Sequence, residues 1–374
     1  MTNPDFLVIG GGVIGLSVAR ELKRRERAAR VVVIEKERAC GMHASGRNSG
    51  VLHAGFYYSP DSLKARFTRS GNEQMTTYCV ERKLPINRCG KLVVATSEEE
   101  LPRLDALYER GRANGVTLEL IGARQANEID PRAIVHERAI WSPATSTVNP
   151  HAVMDALVRD ATAEGIEIRT NTPFTAQLQA GFTINSAGLG AVAIARKFGF
   201  AQHYRMLPFR GLYLYSNEPP GSLRTNIYPV PDPRFPFLGV HFTVSVDGSI
   251  KIGPTARPSL LQGAALLATH PELRALAIEE IRKTSRRYIV KRAAVLARGV
   301  RAEDYTRWGK PGVRAQLYDK RRRALEMDFV IEHDERSLHI LNAVSPGFTC
   351  AMSFAEYVVD VTMSHQPAPE TRPR

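Results

Sequence analysis

The stretch that decides the fold is FLVIGGGVIGLSVARELKRRERAARVVVIEKE, residues 6–37. Four apolar residues, Phe6 to Ile9, run into Gly10-Gly11-Gly12-Val13-Ile14-Gly15, and a helical pattern follows through Leu16, Val18, Ala19 and Leu22. A second apolar run, Val31 to Ile34, ends in Glu35 and Lys36. Strand, glycine turn, helix and strand make a βαβ unit of about thirty residues, the setting in which a G-x-G-x-x-G pattern carries meaning. Gly10 permits the tight turn, Gly12 lets the backbone approach a pyrophosphate, and Gly15 lets the helix pack closely on the strand. The pyrophosphate then meets the positive end of the helix dipole and its unpaired N–H groups in the turn that holds Val13 and Ile14. Glu35 accepts hydrogen bonds from ribose hydroxyls and repels a 2′-phosphate, so FAD or NAD is expected and NADP is not.

Outward from this unit, the chain has 374 residues, 43% hydrophobic and 24% charged, with 28 glycines and 23 prolines. That composition excludes a disordered or collagen-like chain, and the length suggests two or three domains. A formal charge of +13 favours anionic ligands, anionic lipid headgroups or nucleic acid without choosing among them. Cys40, Cys79, Cys89 and Cys350 lie too far apart for a C-x-x-C metal or redox pattern, so no metal site is expected and a reducing compartment fits best. The apolar run near the start is broken by glycines and follows MTNPD, which does not read as a signal peptide. No run reaches the roughly 18 apolar residues of a spanning helix, which predicts a cytoplasmic protein whose membrane contact, if any, is peripheral at the inner face.

After Glu35 the chain is rich in small and polar residues where a plain nicotinamide-binding fold would continue with another helix and strand. Here it resembles the D-amino-acid-oxidase-like superfamily of FAD-dependent oxidoreductases, and within it the L-2-hydroxyglutarate dehydrogenase or oxidase family. The resemblance is carried by SGRNSG (45–50), HAGFYY (53–58) and SLKA (62–65). It continues through GKLVVAT (90–96), PFRG (208–211), IYPVP (227–231), LGVHFT (238–243), Gly253-Pro254 and GVRAQ (312–316). MDF (327–329), LNA (341–343) and Ser345-Pro346 extend it over nearly the whole chain. It implies an α/β fold, with an FAD-binding Rossmann-like domain and a mainly antiparallel α+β substrate domain, and oxidation of a 2-hydroxy dicarboxylate to a 2-oxo acid. The FAD-binding domain is expected over 1–85, 145–205 and 325–364, the substrate domain over 86–144 and 206–324, and a flexible tail over 365–374. The resemblance also implies FAD contacts at Ser45, Arg47, Asn48 and Ser49, at Ala187 and Gly188 after the strand that starts at Phe182, and at Ser345, Pro346 and Gly347.

Several local readings stand beside the resemblance. Residues 149–165 form an amphipathic pattern, followed by a strand at 167–170. Residues 207–256 alternate apolar and polar between turn residues, which predicts an antiparallel sheet. Residues 260–292 read as helical, Lys320 to Arg323 as a basic hairpin turn, and 348–361 as a helix after a Ser345-Pro346-Gly347 turn. Only NTPFTAQLQAG separates Thr170 from Phe182, where relatives carry a longer β-meander.

Oxidising a 2-hydroxy acid at a flavin requires a base at the hydroxyl and cations for the carboxylates, while the redox step belongs to the cofactor. An imidazole accepts a proton near neutrality, which makes His53 and His241 the candidates. His241, between Val240 and Phe242 in a strand, faces away from its apolar neighbours and is favoured. Arginine binds carboxylates bidentately, and Arg314 and Arg210 stand in apolar or glycine surroundings. Tyr58 and Tyr228 offer hydroxyl donors. The expected partners are a small dicarboxylate, a quinone or another electron acceptor, and an anionic membrane surface. A C–N bond of an amino acid is the alternative substrate. A nucleic-acid role is not expected, because no aromatic-interleaved basic stripe is present.

Overall fold

The computed structural model describes residues 3–233, 237–258, 278–280, 282–283 and 285–364. Most of the helix expected over 260–292, and the tail from 365, lie outside the described residues; a helix at Arg286–Ala293 is described.

The two strands of the opening unit, Phe6–Ile9 and Val31–Ile34, are buried along their whole length and pair in parallel, Phe6 opposite Val31 and Ile9 opposite Ile34. Apolar residues at every position, not alternate ones, are what a parallel strand covered on both faces requires. Phe182–Asn185 pairs on the other side of Phe6–Ile9, and Glu167–Arg169 outside Val31–Ile34. Ser337–Asn342 joins in parallel and Val330–His333 closes the six-stranded sheet as an antiparallel edge.

Four helices share a single apolar cluster on one face of this sheet, Leu63–Glu81 through Phe67, Met75, Tyr78 and Cys79, and three others as follows. Val13–Arg25 buries Ile14, Leu16, Val18, Ala19 and Leu22 and ends on Lys23, Arg24 and Arg25, whose charges complement the C-terminal end of the dipole. Leu22 is fully buried, so Leu22→Ala costs about 2–5 kcal/mol. Pro150–Ala163 starts where Asn149 Oδ1 accepts the amides of His151 (3.0 Å) and Ala152 (3.4 Å), with proline in the first turn. Ala351–Ser364 is the third. It begins later than the 348–361 expected. Residues 345–350 form a turn closed by Gly347 N–H to Val344 O (3.2 Å) and Cys350 N–H to Pro346 O (3.1 Å), and helical bonding resumes with Phe354 N–H to Cys350 O.

An eight-stranded, mainly antiparallel sheet forms the second half, drawn from 91–142 and 214–308. Its one parallel pair is Asn226–Pro229 with Lys91–Val94. Alternation gives it two different faces. Leu92, Val94, Phe242, Val244, Ile250 and Ile252 pack on one side with Ile289 and Val290 of the helix Arg286–Ala293. Val93 and Tyr228 pack on the other, over Phe56 and the helix Leu101–Ala113. Lys91, His241 and Lys251 share that second face by strand period.

The antiparallel sheet expected over 207–256 is in fact divided. Tyr204–Gly211 leaves it to pair with Gly312–Asp319 over its full length, Tyr204 opposite Asp319 and Gly211 opposite Gly312, in a separate four-stranded sheet. The basic turn at 320–323 joins Gly312–Asp319 to Ala324–Leu325, as the sequence predicts.

Candidate active site

A cavity of about 640 Å³ runs along the C-terminal ends of the parallel strands and on to the strands Tyr204–Gly211 and Gly312–Asp319 of the four-stranded sheet. Its first end is made of backbone. Gly10 has φ +111°, and a side chain there would strike Ser186 O at 2.7 Å. A Cβ on Gly15 would lie 2.0 Å from Gly10 O, so Gly15 packs helix on strand and does not line the cavity. Gly12, Val13 and Ile14 do line it. Ser45 Oγ accepts Val13 N–H at 2.9 Å and so caps a helix whose own N-cap, Gly12, has no side chain.

Glu35 closes this end. Its two carboxylate oxygens accept Gly11 N–H and Glu37 N–H, both at 2.9 Å, which fixes the carboxylate beside the cavity and joins the glycine turn to the second strand. Lys36 lines the same end, paired with Glu37. The short segment after Thr170 covers it: Thr172 N–H donates to Glu35 O and Asn171 N–H to Glu37 O, both at 2.8 Å, and Thr172, Pro173 and Phe174 form the wall.

The middle of the cavity lies between two loops. On one side, Arg47, Asn48 and Ser49 line it. Asn48 Nδ2 donates to Ala44 O (3.2 Å) and Ser45 O (2.8 Å) while Oδ1 accepts Gly50 N–H (2.8 Å), so this asparagine stiffens the loop. On the other side are Ala187 and Gly188, the latter at φ +55° with open space where a Cβ would stand, and the turn Ser345, Pro346, Gly347. An elongated trough with a glycine turn at a helix N-terminus, a fixed acid at the second strand and an open glycine at the third fits FAD.

The far end is made of side chains. His53 and Arg314 stand on its wall with Tyr213 and Thr349. Thr349 Oγ1 accepts His53 N–H at 3.1 Å and ties the histidine's segment to the C-terminal turn. Arg314 Cζ lies 4.5 Å over the Phe237 ring. Gly312, two residues earlier, passes so close to Arg47 O that a Cβ would be 2.2 Å from it, which holds the arginine's strand against the loop in the middle of the cavity.

His241, Tyr228 and Tyr58 are not among the residues that line this cavity. The His241 and Tyr228 rings stack at 3.8 Å. His241 Nδ1 lies 2.8 Å from Gly239 O, an acceptor only, so Nδ1 carries the proton. Burial, then the charges of Lys91, Lys283 and Arg314, push His241 down to about 3 against a hydrogen bond to Gly239 that raises it. Burial first, then Lys91, His241 and Arg314, hold His53 well below the ordinary imidazole value. Arg210 does not join the site. It follows the cavity residue Phe209 in a strand, so its side chain takes the opposite face, where it is exposed.

Sequence reasoning missed three buried lysines at this end. Lys64 lies 5.8 Å over Tyr58, Lys251 lies 5.2 Å over Tyr213 and donates to Ser49 O (2.8 Å), and Lys91 sits among Phe56, Tyr57 and Tyr228. Burial pushes Lys64 and Lys251 down to about 8 and Lys91 to about 7. Their signal is a lone charge in an apolar strand, as in KLVV (91–94) and IKIG (250–253). Asp328, near Lys64, already accepts the amides of Leu63 (2.8 Å) and Lys64 (3.0 Å). With the buried Glu280 facing Arg314 and paired with the buried Lys283 (2.6 Å), the far end still holds more buried positive than negative charge. Among the described residues no helix is long and apolar enough to cross a membrane.

Comparison with known proteins agrees with this geometry. Residues 5–361 match the family model described as FAD dependent oxidoreductase. The chain is 36% identical to the mitochondrial L-2-hydroxyglutarate dehydrogenase of Nematostella vectensis, over 95% of this chain and 90% of that one. It is 33% identical to the L-2-hydroxyglutarate dehydrogenase of Salmonella houtenae, over 95% and 92%. Among solved structures, the FAD-bound L-alpha-glycerophosphate oxidase of Mycoplasma pneumoniae superposes with a TM-score of 0.78 at 22% identity, covering 99% of this chain and 97% of that one. Glycine oxidase of Geobacillus kaustophilus does so at 0.76 and 19%, covering 99% and 96%. At that identity the structures speak for the fold alone.

Proposed function

The chain belongs to the FAD-dependent oxidoreductases and, within them, to the L-2-hydroxyglutarate dehydrogenase family; from that premise we propose that it oxidises L-2-hydroxyglutarate to 2-oxoglutarate and passes the electrons to a quinone or another acceptor. The observation that carries the substrate is the surplus of buried positive charge at the far end of the cavity. Arg314 on the wall, with Lys64, Lys91 and Lys251 around it, suits a small dianion, and an amino acid's ammonium would have to enter the same field unpaired.

When bound, FAD supplies the acceptor for the hydride equivalent that leaves the substrate's C2. The chain's own residues bind, orient and move the proton. Arg314 takes one carboxylate through its planar guanidinium. An imidazole takes the hydroxyl proton, and of the two candidates His53 is the better placed, because it stands on the cavity wall and His241 does not. This moves the base from His241, which the strand pattern favours, to its neighbour. A neutral His53 at physiological pH is ready to accept without first losing a proton. Tyr213, on the same wall, offers a hydroxyl that burial keeps protonated. The net charge of +13 supports peripheral contact with an anionic membrane surface where a quinone would be reached.

The test is an anaerobic absorbance spectrum of the purified protein before and after L-2-hydroxyglutarate, with the D-enantiomer and L-glutamate as controls. Flavin bands that bleach only with the L-hydroxy acid are expected. Bleaching by L-glutamate alone would move the reaction to a C–N bond. A water-soluble quinone restoring the bands faster than oxygen supports the acceptor.

A further inference from the structure

Beyond its share of the positive charge at the far end, Lys91 takes no part in the proton transfer, and its surroundings are unusual. It is fully buried, and its Nζ has no hydrogen-bond partner among the described residues. Three ring faces enclose it, Phe56 at 4.6 Å, Tyr57 at 4.7 Å and Tyr228 at 4.8 Å from Nζ to centroid. Lys251, Lys64 and Lys283, the other buried lysines here, have Ser49 O, Asp328 and Glu280 respectively. Beside Lys91 stand two more bases, His53 and His241, and the Nδ1 of His53 is likewise buried without a partner among the described residues.

The groups that face this cluster come from every element packed on it. Cys89 precedes the lysine's own strand, Tyr57 belongs to the segment after His53, Tyr228 and His241 come from the two next strands, and Arg314 and Lys283 approach the histidines. Among the described residues, the charges acting directly on Lys91, His53 and His241 include no carboxylate; the buried Glu280 is held by Lys283 Nζ (2.6 Å) and faces Arg314. Three bases in one dry pocket without a counter-ion repel each other's protons, so the cluster holds one proton at most near neutrality. It rests where the charge is best solvated. Ring faces attract an ammonium, whereas the charged neighbours of His53 are Lys91, His241 and Arg314, and His241, although it stacks on Tyr228 and donates to Gly239 O, faces Lys91, Lys283 and Arg314.

We propose that Lys91 is a positioning residue: boxed by Phe56, Tyr57 and Tyr228, it carries the single positive charge this cluster tolerates and thereby keeps the neighbouring His53 unprotonated and able to take the substrate's proton. The role rests on the reading of His53 as the base. Burial supports it, since a lysine pushed down to about 7 is charged in the acidic range where an ordinary histidine would protonate. A unit charge a few ångströms away in such surroundings shifts a neighbour by about one pH unit or more.

Two measurements on the flavin-loaded enzyme test this. In the pH profile of kcat/KM, Lys91→Met is expected to move the acid limb upward by about one unit or more, and Lys91→Arg, which keeps the charge, to hold it near the wild-type position. The position of a limb does not depend on how much of a variant folds. Without any substrate, NMR titration of isotope-labelled imidazoles, with His53 assigned from His53→Asn, is expected to show His53 gaining its proton at higher pH in Lys91→Met than in wild type. A His53 titration that Lys91→Met leaves in place overturns the inference. Full activity in His53→Asn overturns the base assignment instead, and the substrate-free titration still reports on Lys91.

Discussion

The two ends of the cavity bind charge by opposite means. The nucleotide end uses main chain: glycines where no Cβ fits, amides at a helix start, and one carboxylate whose oxygens are held by backbone. The far end uses side chains, a guanidinium, imidazoles and lysines brought from separate strands into a dry pocket. Backbone donors are part of the fold, so losing them loses the structure. Buried cations without matched acids are a burden on the fold, so losing one loses function and spares stability.

The sharpest way to break this contrast is Gly15→Val. A side chain 2.0 Å from Gly10 O forces helix and strand apart, so no flavin-bearing protein and a destabilisation above about 4 kcal/mol are expected from flavin content and thermal melts. Arg314→Met is the counterpart at the other end. Its kcat/KM for L-2-hydroxyglutarate should fall about 10³-fold, while the melting temperature of the flavin-loaded protein stays level or rises. Equal destabilisation by the two changes would abolish the distinction.

Next in size is His53→Asn, expected to lower kcat about 10²- to 10⁴-fold with KM nearly unchanged in steady-state assays. The wild-type pH profile sharpens the point. A base must be neutral to act, so activity is lost as pH falls through its pKa in the folded enzyme. With His53 held well below 6.5, kcat/KM should stay flat through that value and fall only at more acidic pH. Glu35→Gln keeps the shape and loses the charge, so flavin titration should show about tenfold weaker binding. Arg210→Ala, on an exposed side chain, should change kcat/KM by less than about twofold.

The same contrast explains what the sequence discloses. Gly10, Gly12, Gly15 and Glu35 lie within thirty residues, and each has a backbone reason to be what it is, so the nucleotide end is legible locally. Strand period alone turns His241 away from Phe242, as the structure has it, because alternation is also local. What local pattern cannot say is how deep a strand lies or which distant strand is beside it. Lys91 in KLVV gives no sign that Tyr228 and Phe56 will enclose it, and His241 none that His53, not it, lines the cavity. Arg210 and Arg314 look alike in sequence, yet opposite strand faces separate them. The split of 204–211 from its neighbours likewise follows from pairing with 312–319, about a hundred residues away.

The segment 170–181 has a consequence of another kind. It covers the nucleotide end through main-chain hydrogen bonds from Asn171 and Thr172 to Glu37 O and Glu35 O, is tied at its far end by Gly181 N–H to Pro4 O (3.0 Å), and packs Phe174, Leu178 and Ala180 on Leu7, Ile9, Val32 and Ile34. Lifting it would strip apolar cover from that face of the parallel sheet, so the segment is a wall of the core as well as of the cavity. Exchange of the cofactor is therefore expected to be coupled to exposure of this face of the sheet, which amide hydrogen exchange at Leu7 and Ile9 would report.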